Sequence, residues 1–362
     1  MIPDKSALMS LTRVDTFCRR FGLRVPVLLA PMAGVPSPAL SVAVMEAGGM
    51  GACGVIAMTS EEIAAWCYAV RSANGGPFQL NTWIPDPPPD RNAEHESRVR
   101  QFLGTLGPPV PENAGNAAPP DFAAHCDEML AARPTAISSI MGIYPNAFVD
   151  AMKDRGIAWF ACATTVDEAR TAAAAGADAI VAQGMEAGGH RGAFDAARAE
   201  RQLVGLLSLV PAIVDAVPLP VIAAGGIADA RGVAAALALG ASAVQVGTGL
   251  LRSPEAGIHR AWAAALGRTA PEDTAVSRAF SGRPARSIAT GFVAAMTRPG
   301  APEPAPYPIQ RALTAPMRAS GLLDGDIDRI QAWAGQSAAM APALPAGEIV
   351  RQMWEGARRL LA

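Results

Sequence analysis

The feature that most restricts the fold is a set of eight short apolar runs, each followed by an alanine-rich helical stretch. The runs are Val25 to Ala30, Gly51 to Ala57, Phe78 to Ile84, Ala136 to Ile140, Ala158 to Ala163, Ala179 to Gln183, Val221 to Ala224 and Ala243 to Val246. They lack polar alternation, so each strand is expected to be covered on both faces, as in a parallel sheet. Eight strand-helix units in roughly 250 residues match a closed (β/α)8 TIM barrel of the α/β class, with a doubly wound open sheet as the main competitor. The segments Ala174 to Val181 and Ala238 to Gln245 repeat one design, a helix ending at glycine and turning tightly into a buried strand.

Two stretches interrupt the alternation. Pro85 to Pro120 carries nine prolines around a short charged helix at Glu94 to Leu103, and reads as a long loop after the third strand. The second begins after Pro254 and passes a proline cluster at Pro299 to Pro308, with helical patterns resuming near Asp324 to Ala339 and Ala346 to Leu361. The expected division is a barrel over 1-255 to which 340-362 returns, with a lid or substrate subdomain over 256-339 beside the barrel mouth. The Pro85 to Pro120 loop is expected to cover the same mouth.

Composition narrows the function. With 51% hydrophobic and 17% charged residues the chain is neither disordered nor a coiled coil, and its formal charge of −2 offers no field for nucleic acid. The expected partner is a small molecule. Lys5 and Lys153 are the only lysines, which leaves Schiff-base and pyridoxal chemistry almost nowhere to sit. Cys18, Cys53, Cys67, Cys126 and Cys162 are scattered, odd in number and form no Cys-x-x-Cys pair, so no structural metal is expected and a reducing compartment is. The first residues lack the apolar core of a signal peptide, and no run of 18 apolar residues is free of charge or proline, so the reading is a cytoplasmic protein with no membrane partner.

Gly49-Met50-Gly51-Ala52-Cys53-Gly54 matches G-x-G-x-x-G, yet it follows a helix and enters a strand, the reverse of a dinucleotide fingerprint. Other glycines say more. The seventh run ends in Gly225-Gly226 before a helix with Asp229 as its N-cap candidate, and the eighth ends Gln245-Val246-Gly247-Thr248-Gly249. Phosphate sites of these barrels use the loops after strands seven and eight, where glycine lets backbone N–H groups approach an anion. After the sixth run, Gln183 to Gly192 holds four glycines and His190, where barrel chemistry is placed. His190 is therefore the candidate acid/base or oxyanion partner, while His95, His125 and His259 read as solvated surface. Asn81 and Gln183, at strand ends, supply amides that both donate and accept, as a heteroaromatic ring with alternating N–H and C=O groups requires, and together with a phosphate site they favour a flavin.

These residues resemble the nitronate monooxygenases, formerly 2-nitropropane dioxygenases, over nearly the whole chain. The resemblance rests on Ala30-Pro31-Met32-Ala33-Gly34, Gln79-Leu80-Asn81, Gln183 to His190, Ala224 to Ile227, Gln245 to Thr248 and Trp333-Ala334-Gly335-Gln336-Ser337. It implies FMN as cofactor, contacted by Asn81, Gln183, Gly188, Gly225, Gly226 and Gln245, Val246, Gly247 and Thr248, with Met32 and Ala33 against the ring and His190 as the catalytic histidine. The implied reaction oxidises a small anionic alkyl nitronate, or its nitroalkane, with O2 to a carbonyl compound and nitrite, FMN passing electrons singly. An NAD(P)H-dependent flavin reductase of enoyl thioesters or quinones, and a catalytically silent flavin-binding module, would share the barrel and its flavin loops.

Overall fold

The computed structural model describes residues 5–116 and 121–362, with side chains from residue 11 onward. The last prolines of the third-strand loop, Pro119 and Pro120, lie outside the described residues. Eleven strands occur among the described residues: β1 (Val27–Leu29), β2 (Gly51–Gly54), β3 (Phe78–Trp83), β4 (Ala136–Ile140), β5 (Ala158–Ala163), β6 (Ala179–Gln183), β7 (Gly189–His190), β8 (Val221–Ala224), β9 (Ala243–Val246), β10 (Thr274–Ser277) and β11 (Ala285–Ile288).

Eight of them form one parallel sheet in the order β1-β9-β8-β6-β5-β4-β3-β2. A bridge between Leu28 and Met50 joins β1 to β2, and the Leu29 amide donates to the Met50 carbonyl at 2.9 Å, so the sheet curls into a TIM-type barrel. The open-sheet alternative is excluded. The strands are buried on both faces, as in β8, where every residue is buried, because helices cover the outside and the strands' inward side chains fill the barrel.

Local signals start the helices on time. Thr59 with Glu62 and Thr165 with Glu168 form capping boxes, and Asp229 accepts from the amides of Arg231 and Gly232. The G-x-G-x-x-G match is a helix-to-strand turn, lying between the helix Pro38–Glu46 and the end of β2. The C-terminal helix Ala346–Leu361 buries Ile349, Val350, Met353 and Ala357, and packs on the helices Ala230–Ala238 and Pro38–Glu46. No helix among the described residues is long and apolar enough to cross a membrane.

Beside the barrel stands a second hydrophobic cluster. Ala279, Phe280, Phe292, Val293, Ile309, Leu313 and Met317 pack there with Val99 and Leu103 of the helix Ala93–Gly104, which comes from the third-strand loop. A small antiparallel sheet, β10-β11-β7, ties this region to the barrel by pairing Ala285 with His190 and Arg286 with Gly189. The helical pattern expected over Asp324 to Ala339 does not form. The helix Ala315–Asp324 stops at Gly325, whose φ of +67° is left-handed, and the chain beyond it runs irregularly along the barrel mouth, with Ile330, Gln331, Trp333, Gly335 and Ser337 all lining the cavity there.

Candidate active site

A cavity of about 490 Å³ opens at the C-terminal ends of the barrel strands. Met32, Ala33, Asn81, Gln183, Gly188, Gly225, Gly226, Gln245, Gly247, Thr248 and His190 all line it. Val246 does not, because its side chain is buried in the barrel wall and its carbonyl accepts from the Ala30 amide at 2.9 Å.

At one end lie the glycine turns. Gly225 and Gly226 have φ of +120° and +67°, which turns the chain sharply after β8. Among the described residues the amides of Gly225, Gly226, Gly247 and Thr248 have no hydrogen-bond acceptor in the protein. Buried or half-buried N–H groups are normally paired, so four open amides at adjacent strand ends make a place for an anion. Ser337 donates to the Gly226 carbonyl and the Gly335 amide donates to Thr248 Oγ1, so the Trp333 to Ser337 segment braces both turns. A Cβ on Gly188 would come within 2.5 Å of the Gly335 nitrogen, so glycine there serves backbone-to-backbone packing against that segment.

The floor carries amides with groups to spare. Asn81 donates from Nδ2 to the Ser138 carbonyl and Oγ, both at 3.0 Å, and among the described residues its Oδ1 has no partner. Gln79, fully buried, donates to the Gln245 Oε1 at 3.1 Å, which leaves the Gln245 amide nitrogen without a partner among the described residues. Gln183 is more committed: its Oε1 accepts from the Gly192 amide at 2.8 Å and its Nε2 donates to the His190 carbonyl at 3.1 Å. Its first task is therefore to clamp the loop that carries His190.

The imidazole of His190 is set between the indoles of Trp83 and Trp333, at centroid distances of 4.5 and 5.0 Å and edge-on to both. Its Nε2 lies 2.8 Å from Ser281 Oγ, which also donates to the Arg283 carbonyl at 3.1 Å, while Nδ1 has no partner among the described residues. The ring opens to the cavity but sits deep below the molecular surface. Burial, reinforced by the charges of Arg283 and Arg311, pushes its pKa down to about 3, so the histidine is neutral at rest. Arg283 is itself buried, ion-paired with Asp86 and donating to the Ala193 carbonyl at 2.7 Å. Burial pushes the Cys162 thiol on the same cavity up to about 12, which leaves it un-ionised and a poor nucleophile.

Two of the histidines expected at the surface are not there. His125 is buried, with Nε2 against the Met58 carbonyl at 2.9 Å, and His259 lines the cavity while its Nδ1 accepts from the Ala261 amide. Trp83, Ser138, Tyr307, Arg311 and Trp333 also line the cavity without having been singled out as site residues. Trp83 follows Asn81 by two positions on one strand and shares its face, a signal the alternation of a strand supplies. Tyr307 lies within the proline cluster and Arg311 just after it, with no local pattern to point at the barrel mouth.

The chain is similar to known proteins over nearly its whole length. The family model for nitronate monooxygenase matches residues 17–356. The chain is 38% identical over 355 residues to a nitronate monooxygenase of Pseudomonas aeruginosa, covering 95% of this chain and 99% of the relative. It is 38% identical over 343 residues to one of Paraburkholderia phytofirmans, covering 92% of each. Among solved structures, nitroalkane oxidase from Streptomyces ansochromogenes superposes with a TM-score of 0.84 at 34% identity, covering 94% of this chain and 98% of that one. FabK from Thermotoga maritima is more distant, with a TM-score of 0.73 at 26% identity and 96% of each chain covered. The chain thus belongs to the nitronate monooxygenase family and is an oxidoreductase.

Proposed function

We propose that the protein oxidises alkyl nitronates with O2, using FMN, to carbonyl compounds and nitrite. The observation that carries the reading is one cavity with open amides at one end, unspent amide groups on its floor and a neutral histidine on its wall. These fit FMN. The amides of Gly225, Gly226, Gly247 and Thr248 would receive the phosphate, and Asn81 Oδ1 and the Gln245 amide nitrogen would meet the ring, with Met32, Ala33 and Gly188 beside it. When bound, FMN supplies the redox chemistry, taking electrons from the nitronate and passing them to O2.

The chain's own work is to bind, orient and keep water out. Residues 256–339, together with the helix Ala93–Gly104, act as the lid, and their shared apolar cluster holds it over the mouth. Ser281 lies within hydrogen-bond reach of both the Arg283 carbonyl and His190 Nε2, so a turn of its hydroxyl selects the tautomer. His190 can then present Nδ1 to the substrate as acceptor or as N–H donor. A histidine with a pKa near 3 is a poor base toward a neutral nitroalkane, so the preformed nitronate is the substrate form. The buried free cysteines fit a reducing cytoplasm.

The purified protein should release FMN on heat denaturation, identified by mass, and should form nitrite from an alkyl nitronate much faster than from the parent nitroalkane. A protein that carries FMN yet makes no nitrite from any alkyl nitronate would refute the reading. The FabK likeness keeps the flavin reductase as the second reading, distinguished by the electron donor.

A further inference from the structure

The lid wall of the cavity carries a charge that flavin binding does not use. Arg311, in the helix Ile309–Leu313, lines the cavity, and among the described residues its guanidinium has neither a hydrogen-bond nor an ion-pair partner. The neighbouring arginines each have partners, although Arg283 Nε, buried, has none among the described residues. Arg283 is taken by Asp86 and the Ala193 carbonyl, and Arg286 by Met185 and Thr274. Arg318 donates to Thr314 Oγ1, Gln331 Oε1 and the Arg311 carbonyl.

Arg311 and Arg318 share this wall, and among the described residues no carboxylate is paired to either. Burial, and then the charge of Arg311, brings the Arg318 pKa down to about 10, so the two cations feel each other. A half-buried guanidinium without a counter-charge is unfavourable until an anion reaches it. Arg311 acts on the same space as His190, whose basicity it helps to depress, and follows Tyr307 by four residues; Tyr307 in turn packs tilted against Trp83, with ring centroids 5.1 Å apart.

We propose that Arg311 anchors the substrate's delocalised oxyanion, its planar fork gripping both nitro oxygens of the nitronate, and so selects the ionised over the neutral substrate. The inference rests on the nitronate reading above. A guanidinium presents two parallel N–H donors that match a planar two-oxygen anion, which an ammonium cannot do. The neutral His190 nearby adds a hydrogen bond without competing for the charge.

The test titrates the flavin-loaded protein with sodium nitrate, a planar delocalised oxyanion, by calorimetry, and measures kcat and KM for an alkyl nitronate. In the wild type nitrate should bind and compete with the nitronate. In Arg311→Met nitrate affinity and nitronate KM should each worsen by about 10- to 100-fold, the loss expected for a charge-assisted bidentate contact, with kcat changed far less. Arg311→Lys should recover part of the loss. Should Arg311→Met not fold, nitrate competition in the wild type and the partial loss in Arg311→Lys carry the test. Nitrate binding and nitronate KM unchanged in Arg311→Met, or no nitrate binding to the wild type, would overturn the proposal. Nitrate binding that depends on Arg311 in a protein that oxidises no nitronate would instead remove the nitronate reading and leave the anion site standing.

Discussion

Replacing His190 with asparagine should change how stability responds to pH, in a direction fixed by the buried imidazole. The folded protein holds this histidine neutral with a pKa near 3, against 6.5 for the unperturbed group. At pH 7 both states are mostly neutral and the linkage contributes little. At pH 5 the unfolded chain binds the proton and the folded chain does not, so acid favours unfolding; the stability is fully present above pH 6.5 and is lost as pH falls toward 3. At pH 5 the difference is 1.5 pH intervals below the unfolded value, or about 2 kcal/mol. For a chain of this length the entropy of unfolding is about 0.8 kcal/mol per degree, so the effect is about 2–3 °C in Tm. The assay compares thermal midpoints of wild type and His190→Asn at pH 7.5 and 5, with saturating FMN. The wild type should lose about 2–3 °C more than the variant over that interval. Equal losses in both proteins would show that His190 titrates normally and would remove the argument for a neutral histidine.

Gly226→Val places a β-branched residue at a φ of +67° with its Cβ 3.2 Å from that of Glu186, and should disturb the open amides. Loss of one or two charge-assisted bonds, about 1.5–3 kcal/mol each, predicts FMN affinity reduced by at least about tenfold in fluorescence titration of the apoprotein. Asp86→Asn leaves the buried Arg283 without its counter-charge and should cost about 3 kcal/mol, read as a Tm lowered by about 4 °C. Ser281→Ala removes the hydroxyl between His190 and the Arg283 carbonyl; it should lower kcat on the nitronate several-fold while FMN affinity holds, and unchanged kcat would demote Ser281 to packing.

The barrel was legible because its signal is local. Strands β4, β5, β6, β8 and β9 end where their apolar runs end. β1 is shorter than the run from Val25 to Ala30, since Pro26 and Pro31 flank it and proline cannot donate to a ladder. β7 escaped notice because two residues in a glycine-rich loop become a strand only by pairing with β11, almost a hundred residues away. The glycine turns that line the cavity could be read from the sequence, and the cavity position of His190 from its place after β6. The partners of those residues could not. Gln183 was legible as an amide at the right strand end, but not as the clamp of the His190 loop, because Gly192 and the His190 carbonyl reach it only through the fold. Arg311 shows no local mark at all, its meaning lying in the absence of a partner among the described residues once the chain is folded.

The central claim is that electrons enter this cavity from a nitronate. An anaerobic spectrum of the FMN-loaded protein, recorded after mixing with an alkyl nitronate and separately with NADPH, tests it most directly. Oxidised-flavin absorbance should fall promptly with the nitronate, return on admitting O2, and stay unchanged with NADPH. Rapid bleaching by NADPH with no response to the nitronate would contradict the account and assign the cavity to a flavin reductase.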